Sequence, residues 1–238
     1  MRIRIFSFRG FLCAVACVAV YAVFAGTQSS LLAETERSPL TQDVAPLDIE
    51  APGPEWQALL DTMRATERVA APFVEHRSFA FRKEPKQYAG VFRKESDGRI
   101  SLAYTEPEAM ALHIGDDFAY YRKGDGSIRR IPESKAQQAS IRLLPKLLNF
   151  DLHSMAQQYA IAGGFDGESW LLVFTAKADV DVPYREMRIN GLGAAVESIE
   201  LLKSSRQKVR IQMGDPVYPD FYLPHTKEAY FFSLESNE

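Results

Sequence analysis

Cysteine is nearly absent. The 238 residues hold two, Cys13 and Cys17, both within the first 25 positions. A chain that loses this segment has no thiol, so disulfides, thiolate metal sites and cysteine nucleophiles are excluded. Histidine is scarce too: His76, His113, His153 and His225 lie far apart, with no His-x-x-x-His or Glu-x-x-His spacing to hold a metal. There is no Gly-x-Ser-x-Gly elbow. Gly124-Asp125-Gly126 is followed by neither Lys-Ser/Thr nor a helix start, so it reads as a turn rather than a phosphate cradle. No catalytic, cofactor-binding or metal-ligating residue is therefore assigned, and no cofactor is expected. Charge of one sign is also missing. The net charge is −3, which offers nothing to nucleic acid.

Hydrophobic runs are short, with one exception at the start. Arg2, Arg4 and Arg9 precede the uncharged stretch Phe11 to Ala25, shorter than the roughly 20 residues a spanning helix needs. Val23 and Ala25 supply small residues at the −3 and −1 positions, so the spacing predicts an export signal over 1–25, cleaved after Ala25. A second cleavage position follows Ala33. Uncleaved, the segment would be an anchor; acylated at Cys17, it would be a lipid attachment. Residues 26–52 are polar and rich in Pro and Gly, and read as a flexible linker.

What is present is alternation. Ile100, Leu102 and Tyr104 share one parity and Arg99, Ser101 and Ala103 the other; Met110, Leu112 and Ile114 repeat it. A period of two marks strands with one covered face. Six such segments lie between Phe73 and Ile131, and five more between Tyr159 and Met213, separated by breaks such as Asp97-Gly98, Gly163-Gly164-Phe165-Asp166-Gly167 and Asn190-Gly191. Breaks this short favour antiparallel hairpins. A helix is expected from Pro54, with Trp56, Leu59, Leu60 and Met63 on one stripe. Another is expected from a cap at Ser134 to Leu144, interrupted at Pro145 and followed by a short helix over 151–157. The histidines in the strands, His76 and His113, are expected on the wet face. The fold class is α+β, mainly β: an antiparallel curved half-barrel sheet of about eleven strands, with helices covering the concave face, over residues 53–238. A twisted sheet of that width curls, and its inner face needs a plug. The helical segments are the only candidates.

Phe73-Val74-Glu75, then Tyr88-Ala89-Gly90-Val91-Phe92, then Gly98 to Pro107, then Ile114-Gly115-Asp116-Asp117-Phe118-Ala119-Tyr120-Tyr121 together resemble the LolA family of periplasmic lipoprotein carriers. The similarity runs on to about Gly214. It implies a carrier without enzymatic activity that binds lipoprotein acyl chains, or another lipid, in a hydrophobic cavity for transfer to the outer membrane. It implies, too, an inner-membrane donor complex, an outer-membrane acceptor and a monomeric state. In the family, the segment matching Pro132 to Tyr159 is a lid over the cavity; read from residues alone, the same segment could equally be core filler. The family's Arg-Pro after the second strand, whose Arg latches the lid, is replaced here by Lys94-Glu95-Ser96-Asp97.

These readings place Phe92, Ile100, Leu102, Tyr104, Leu112, Phe118, Tyr120, Trp170, Leu172 and Phe174 on the concave side, under Trp56, Leu144, Leu147 and Leu148. Two rival functions stay open: a lipidated outer-membrane acceptor of the same fold, attached through Cys17, and an enzyme with a site assembled across the sheet. The intact mass of the exported protein separates the first. We expect a chain beginning at Gly26; a mass carrying acyl groups on Cys17 would identify the acceptor instead.

Overall fold

A computed structural model describes residues 43–217 other than 67, 96, 116–118 and 132–134, without the side chains of 130 and 135–138. The expected export signal, the linker as far as residue 42, the Ser134 cap, Phe118 and the aromatic stretch from Tyr218 lie outside the described residues. The order of elements is β1 (Ala45–Pro46), α1 (Pro54–Ala65), β2 (Val69–Ser78), β3 (Lys86–Lys94), β4 (Ile100–Glu106), β5 (Met110–Ile114), β6 (Ala119–Lys123), β7 (Ile128–Arg130), α2 (Lys135–Leu148), α3 (Leu152–Ala156), β8 (Tyr159–Asp166), β9 (Ser169–Ala176), β10 (Glu186–Leu192), β11 (Ala195–Ser204) and β12 (Gln207–Met213).

The strands form one open curved sheet of twelve, in the order β1-β8-β9-β10-β11-β12-β2-β3-β4-β5-β6-β7. Every pairing is antiparallel. Two meanders, β2 to β7 and β8 to β12, meet where β12 pairs β2. The strand beyond the eleven expected is β1. It lies in the stretch read as a flexible linker, of which residues 43–52 are described. Here the expectation is corrected. Ala45 and Pro46 pair with Gly163 and Ala162 of β8, and Leu47 N donates to Ile161 O at 3.0 Å. The reason is apolar: Leu47 and Ile49 pack against the core. Pro46 is tolerated because this is a sheet edge.

One face of the sheet is covered. Trp56, Leu59, Leu60 and Met63 of α1 lie on it, with Leu143, Leu147 and Leu148 of α2 and Leu152 and Met155 of α3, in one continuous core. Burial of each such side chain stabilises the fold by roughly 1.5–3 kcal/mol. Helix α2 runs through Pro145 instead of stopping there. Proline removes one backbone hydrogen bond from a helix interior. The last turn is nonetheless held by buried Leu147 and Leu148 and by Asn149 N donating to Pro145 O at 2.8 Å.

Two turns also differ from expectation, for one reason. Gly163 and Gly164 lie inside β8, and the turn falls at Gly167, where φ is +60°. Asn190 and Gly191 lie inside β10, and the turn falls at Gly193, where φ is +53°. A Cβ on Gly163 would collide with the Trp56 ring, and one on Gly191 with the Trp170 ring. These glycines are strand positions kept bare so that indoles can lie on the backbone.

The opposite face is not uniformly wet. Ser101 and His113 pair across β4 and β5 there, and both are buried. His113, expected on a wet face, is fully enclosed. Burial, reinforced by the Arg99 guanidinium, lowers its pKa to about 4. In the unfolded chain the same group titrates near 6.5, so between these values the unfolded state binds the proton first. Stability from the neutral ring is complete above about pH 6.5 and falls with pH through the window down to about 4, by about 3 kcal/mol. Urea denaturation at pH 7.5 and 4.5 should show this loss in the native protein and much less of it in His113→Gln. Equal losses in the two proteins would contradict the assignment.

Candidate functional site

The cross-strand register decides which side chains share the covered face. Phe92 pairs Leu102, Leu102 pairs Leu112, and Ile100 pairs Ile114. Across the other meander Leu172 pairs Ile189, and Phe174 lies between Met187 and Ile161. Phe92, Ile100, Leu102, Tyr104, Leu112, Trp170, Leu172 and Phe174 are all buried on this face. Trp56, Leu147 and Leu148 lie buried among them, and Leu144 packs half-buried at the margin. Tyr120 is a correction. It pairs His113 and so belongs to the opposite face, whereas Tyr121 pairs Leu112 and packs on the core. The described strand starts at Ala119, which pairs Ile114, and the shift of one residue inverts the parity.

Aromatic groups concentrate at two places. Trp56 meets Phe165 with ring centroids 4.4 Å apart, and Trp170 meets Phe150 edge-on at 5.8 Å, with Nε1 donating to Gly193 O at 2.8 Å. Directed bonds between cover and sheet are few among the described residues. Asn149 Nδ2 donates to Gly98 O at 3.3 Å, Lys94 Nζ to Met63 O at 3.5 Å, and Lys177 Nζ, from the loop after β9, to Ala156 O at 2.7 Å. Most of what holds the helices down is therefore non-directional apolar contact.

Little room remains beneath them. A cavity of about 50 Å³ lies between the end of α1, β2, β3 and the end of α2, bordered by Met63, Phe92, Leu148 and Phe150. A second, of about 120 Å³, lies between the N-terminal strap, α1 and α3, bordered by Leu47, Ile49, Leu60 and Leu152. Pockets that enclose a small ligand run to roughly 300–1,000 Å³. Among the described residues the face is thus covered closely by its own helices, and an acyl chain longer than these cavities would displace them.

The alternation of β2 carries a feature that apolar patterning passed over. Phe73, Glu75 and Arg77 have the same parity, so a carboxylate and a guanidinium project from the covered face, both buried. Arg77 Nε and Nη2 donate to the two Glu75 oxygens, and Tyr104 Oη donates to Glu75 Oε2 at 2.8 Å. The guanidinium carbon lies 4.3 Å over the Tyr88 ring. Burial by itself would lower the Arg77 pKa; the Glu75 carboxylate outweighs it and holds the charge on. Burial and the same carboxylate raise Tyr104 well above its ordinary range, so its phenol stays neutral. Neither group is set to exchange a proton near neutral pH, which is what acid–base chemistry requires. Also buried on this face is Lys94, whose pKa burial lowers. Both polar sites were legible as parity, had charged residues been scored alongside apolar ones.

No family model matches the chain, and no curated protein does. Solved structures do resemble it. A LolA superfamily protein of Nitrosomonas europaea shares 10% identity over 70% of this chain and 94% of that one, at a TM-score of 0.39. A DUF1329 family protein of Desulfovibrio piger shares 11% over 74% and 94%, at 0.38. The MucA/MucB complex of Pseudomonas aeruginosa gives 14% over 74% of this chain and 59% of that one, at 0.42. These are likenesses of architecture alone.

Breaking the buried ion pair on one side should be costly and on both sides mild. Glu75→Leu leaves the guanidinium uncompensated, and we expect a loss of about 3–5 kcal/mol in urea unfolding. Glu75→Leu with Arg77→Met should recover most of it; a double variant as unstable as the single one would contradict this account.

Proposed function

We propose that this protein is a periplasmic carrier that binds lipoprotein acyl chains, or another lipid, under its helices for transfer to the outer membrane, and that it is not an enzyme. The observation that supports this reading is the covered face: a largely apolar surface from Tyr159 to Tyr121, broken by Glu75, Arg77 and Lys94 and closed by helices that few directed bonds tie down. The resemblance of its strand motifs to the LolA family agrees with it. On this reading residues 1–25 direct export and are removed near Ala25, residues 53–238 together with the strap from residue 43 are the lipid-binding domain, and the chain works as a monomer between an inner-membrane donor and an outer-membrane acceptor.

Energetics make the exchange feasible. Leu143, Leu147 and Leu148 contribute roughly 1.5–3 kcal/mol each by burial, and an acyl chain about 0.8 kcal/mol per buried CH₂. Some ten methylenes therefore offset three leucines, so a chain can take the helix's place with little net change in free energy. Pro145 lies between Leu143 and Leu147 and removes one of the backbone bonds that would stiffen this helix. Because the affinity is non-directional, release follows from handing the chain to a better site rather than from chemistry.

Native mass spectrometry of protein purified from its own cell envelope tests this. The wild type should retain acyl-lipid mass. Leu102→Glu should be empty while its circular dichroism stays native, because an unpaired carboxylate on this face opposes an acyl chain. Wild-type protein that is always empty and accepts no lipoprotein from membranes would refute the carrier.

A further inference from the structure

We infer that Lys94 is the head-group site of the small cavity beside α1, and that the ligand it takes is a single-chain amphiphile ending in a carboxylate. This rests on the carrier reading and specifies its cargo.

Lys94 ends β3 on the covered face, opposite Val69 and Ile100. Its side chain borders the cavity of about 50 Å³ together with Met63, Val69, Phe92, Leu148, Phe150 and Met213. The residue is 7% exposed. Among the described residues its hydrogen-bond partner is Met63 O at 3.5 Å, and no carboxylate lies within ion-pair distance of it. Met63 O belongs to the last turn of α1, where carbonyls lack helical partners and the helix dipole presents its negative end. That is a weak match for a buried ammonium, since buried charges are normally paired and fully hydrogen-bonded. The contrast on the same face is Arg77, which has Glu75.

An amphiphile supplies what is missing. Its head would sit against Nζ and its chain would run along Phe92 and Leu148 under α2. One ammonium calls for one negative charge, which a carboxylate carries. The cavity, of about 50 Å³, has room for a few waters, and a carboxylate head fits it without enlargement. Burial already lowers the Lys94 pKa, and a carboxylate against it would restore the charged form.

The test is calorimetric titration of the lipid-stripped protein with dodecanoate, dodecan-1-ol and dodecyl phosphate. Wild type should bind dodecanoate at least about ten-fold more tightly than the alcohol, the worth of a buried charge-assisted hydrogen bond. Lys94→Met should lose that preference, keep its affinity for the alcohol, and fold normally by circular dichroism. Equal affinity for acid and alcohol in the wild type would overturn the inference and leave the carrier standing, and that comparison needs no variant. A preference that survives Lys94→Met would overturn it too. Dodecyl phosphate bound more tightly than dodecanoate would replace the carboxylate with a phosphate head. Failure to bind any of the three would bring down the carrier reading and this inference together.

Discussion

The chain leaves the first meander at β7, on one edge of the sheet, and enters the second at β8, beside the other edge. Ten strand spacings separate them, about 48 Å if the sheet were flat. The connection, residues 131–158, has no path along the edges and must cross a face. Its apolar groups, Ile141, Leu143, Leu147, Leu148, Leu152 and Met155, select the face that carries Trp170 and Leu172. Curvature follows from the same constraint. The sheet bends around what crosses it, and α1 fills the rest of the trough. Cover and sheet are thus one topological decision, and removing the helices of the cover would break no strand pairing among the described residues.

Among the described residues, the charged groups on that face differ in what they meet. Glu75, Arg77, Tyr104 and Tyr88 form a closed set with complementary charge, mutual hydrogen bonds and an aromatic roof. Such a set contributes specificity of register more than net stability. It pins β2 against β4 two strands away, in a sheet where apolar alternation alone would tolerate slippage. Lys94 sits on the same face without an equivalent set. Among the described residues, Arg77 is matched by a carboxylate and Lys94 by a backbone carbonyl.

Much of this was legible in the sequence because the physics involved is periodic. Parity named Ile100, Leu102, Tyr104, Leu112, Trp170, Leu172 and Phe174 as one face, and the i, i+3, i+4 stripe named the buried side of α1. What periodicity misses is anything decided by contact at a distance. Asn190-Gly191 and Gly163-Gly164 read locally as turns, yet Trp170 and Trp56 claim the bare backbone and push the turns to Gly193 and Gly167. Pro145 reads as a stop, yet burial of Leu147 and Leu148 carries the helix past it. Tyr120 and Tyr121 are adjacent aromatics, and only the pairing of Ala119 with Ile114 decides which faces inward. Residues 43–52 look like a polar tether because their contribution is two apolar side chains and a two-residue strand, too little to register as a pattern.

The placement of the two tryptophans has a spectroscopic consequence. They are the chain's entire complement of indoles. One rides on α1, resting over Gly163; the other belongs to the sheet, resting over Gly191 with its N–H held by Gly193 O. The molecule therefore carries one built-in probe for each part of its cover. Motion of α1 away from the sheet would change the emission of Trp56, which packs on Phe165, and displacement of the end of α2 would change that of Trp170, which packs on Phe150, so opening can be followed in the unlabelled protein.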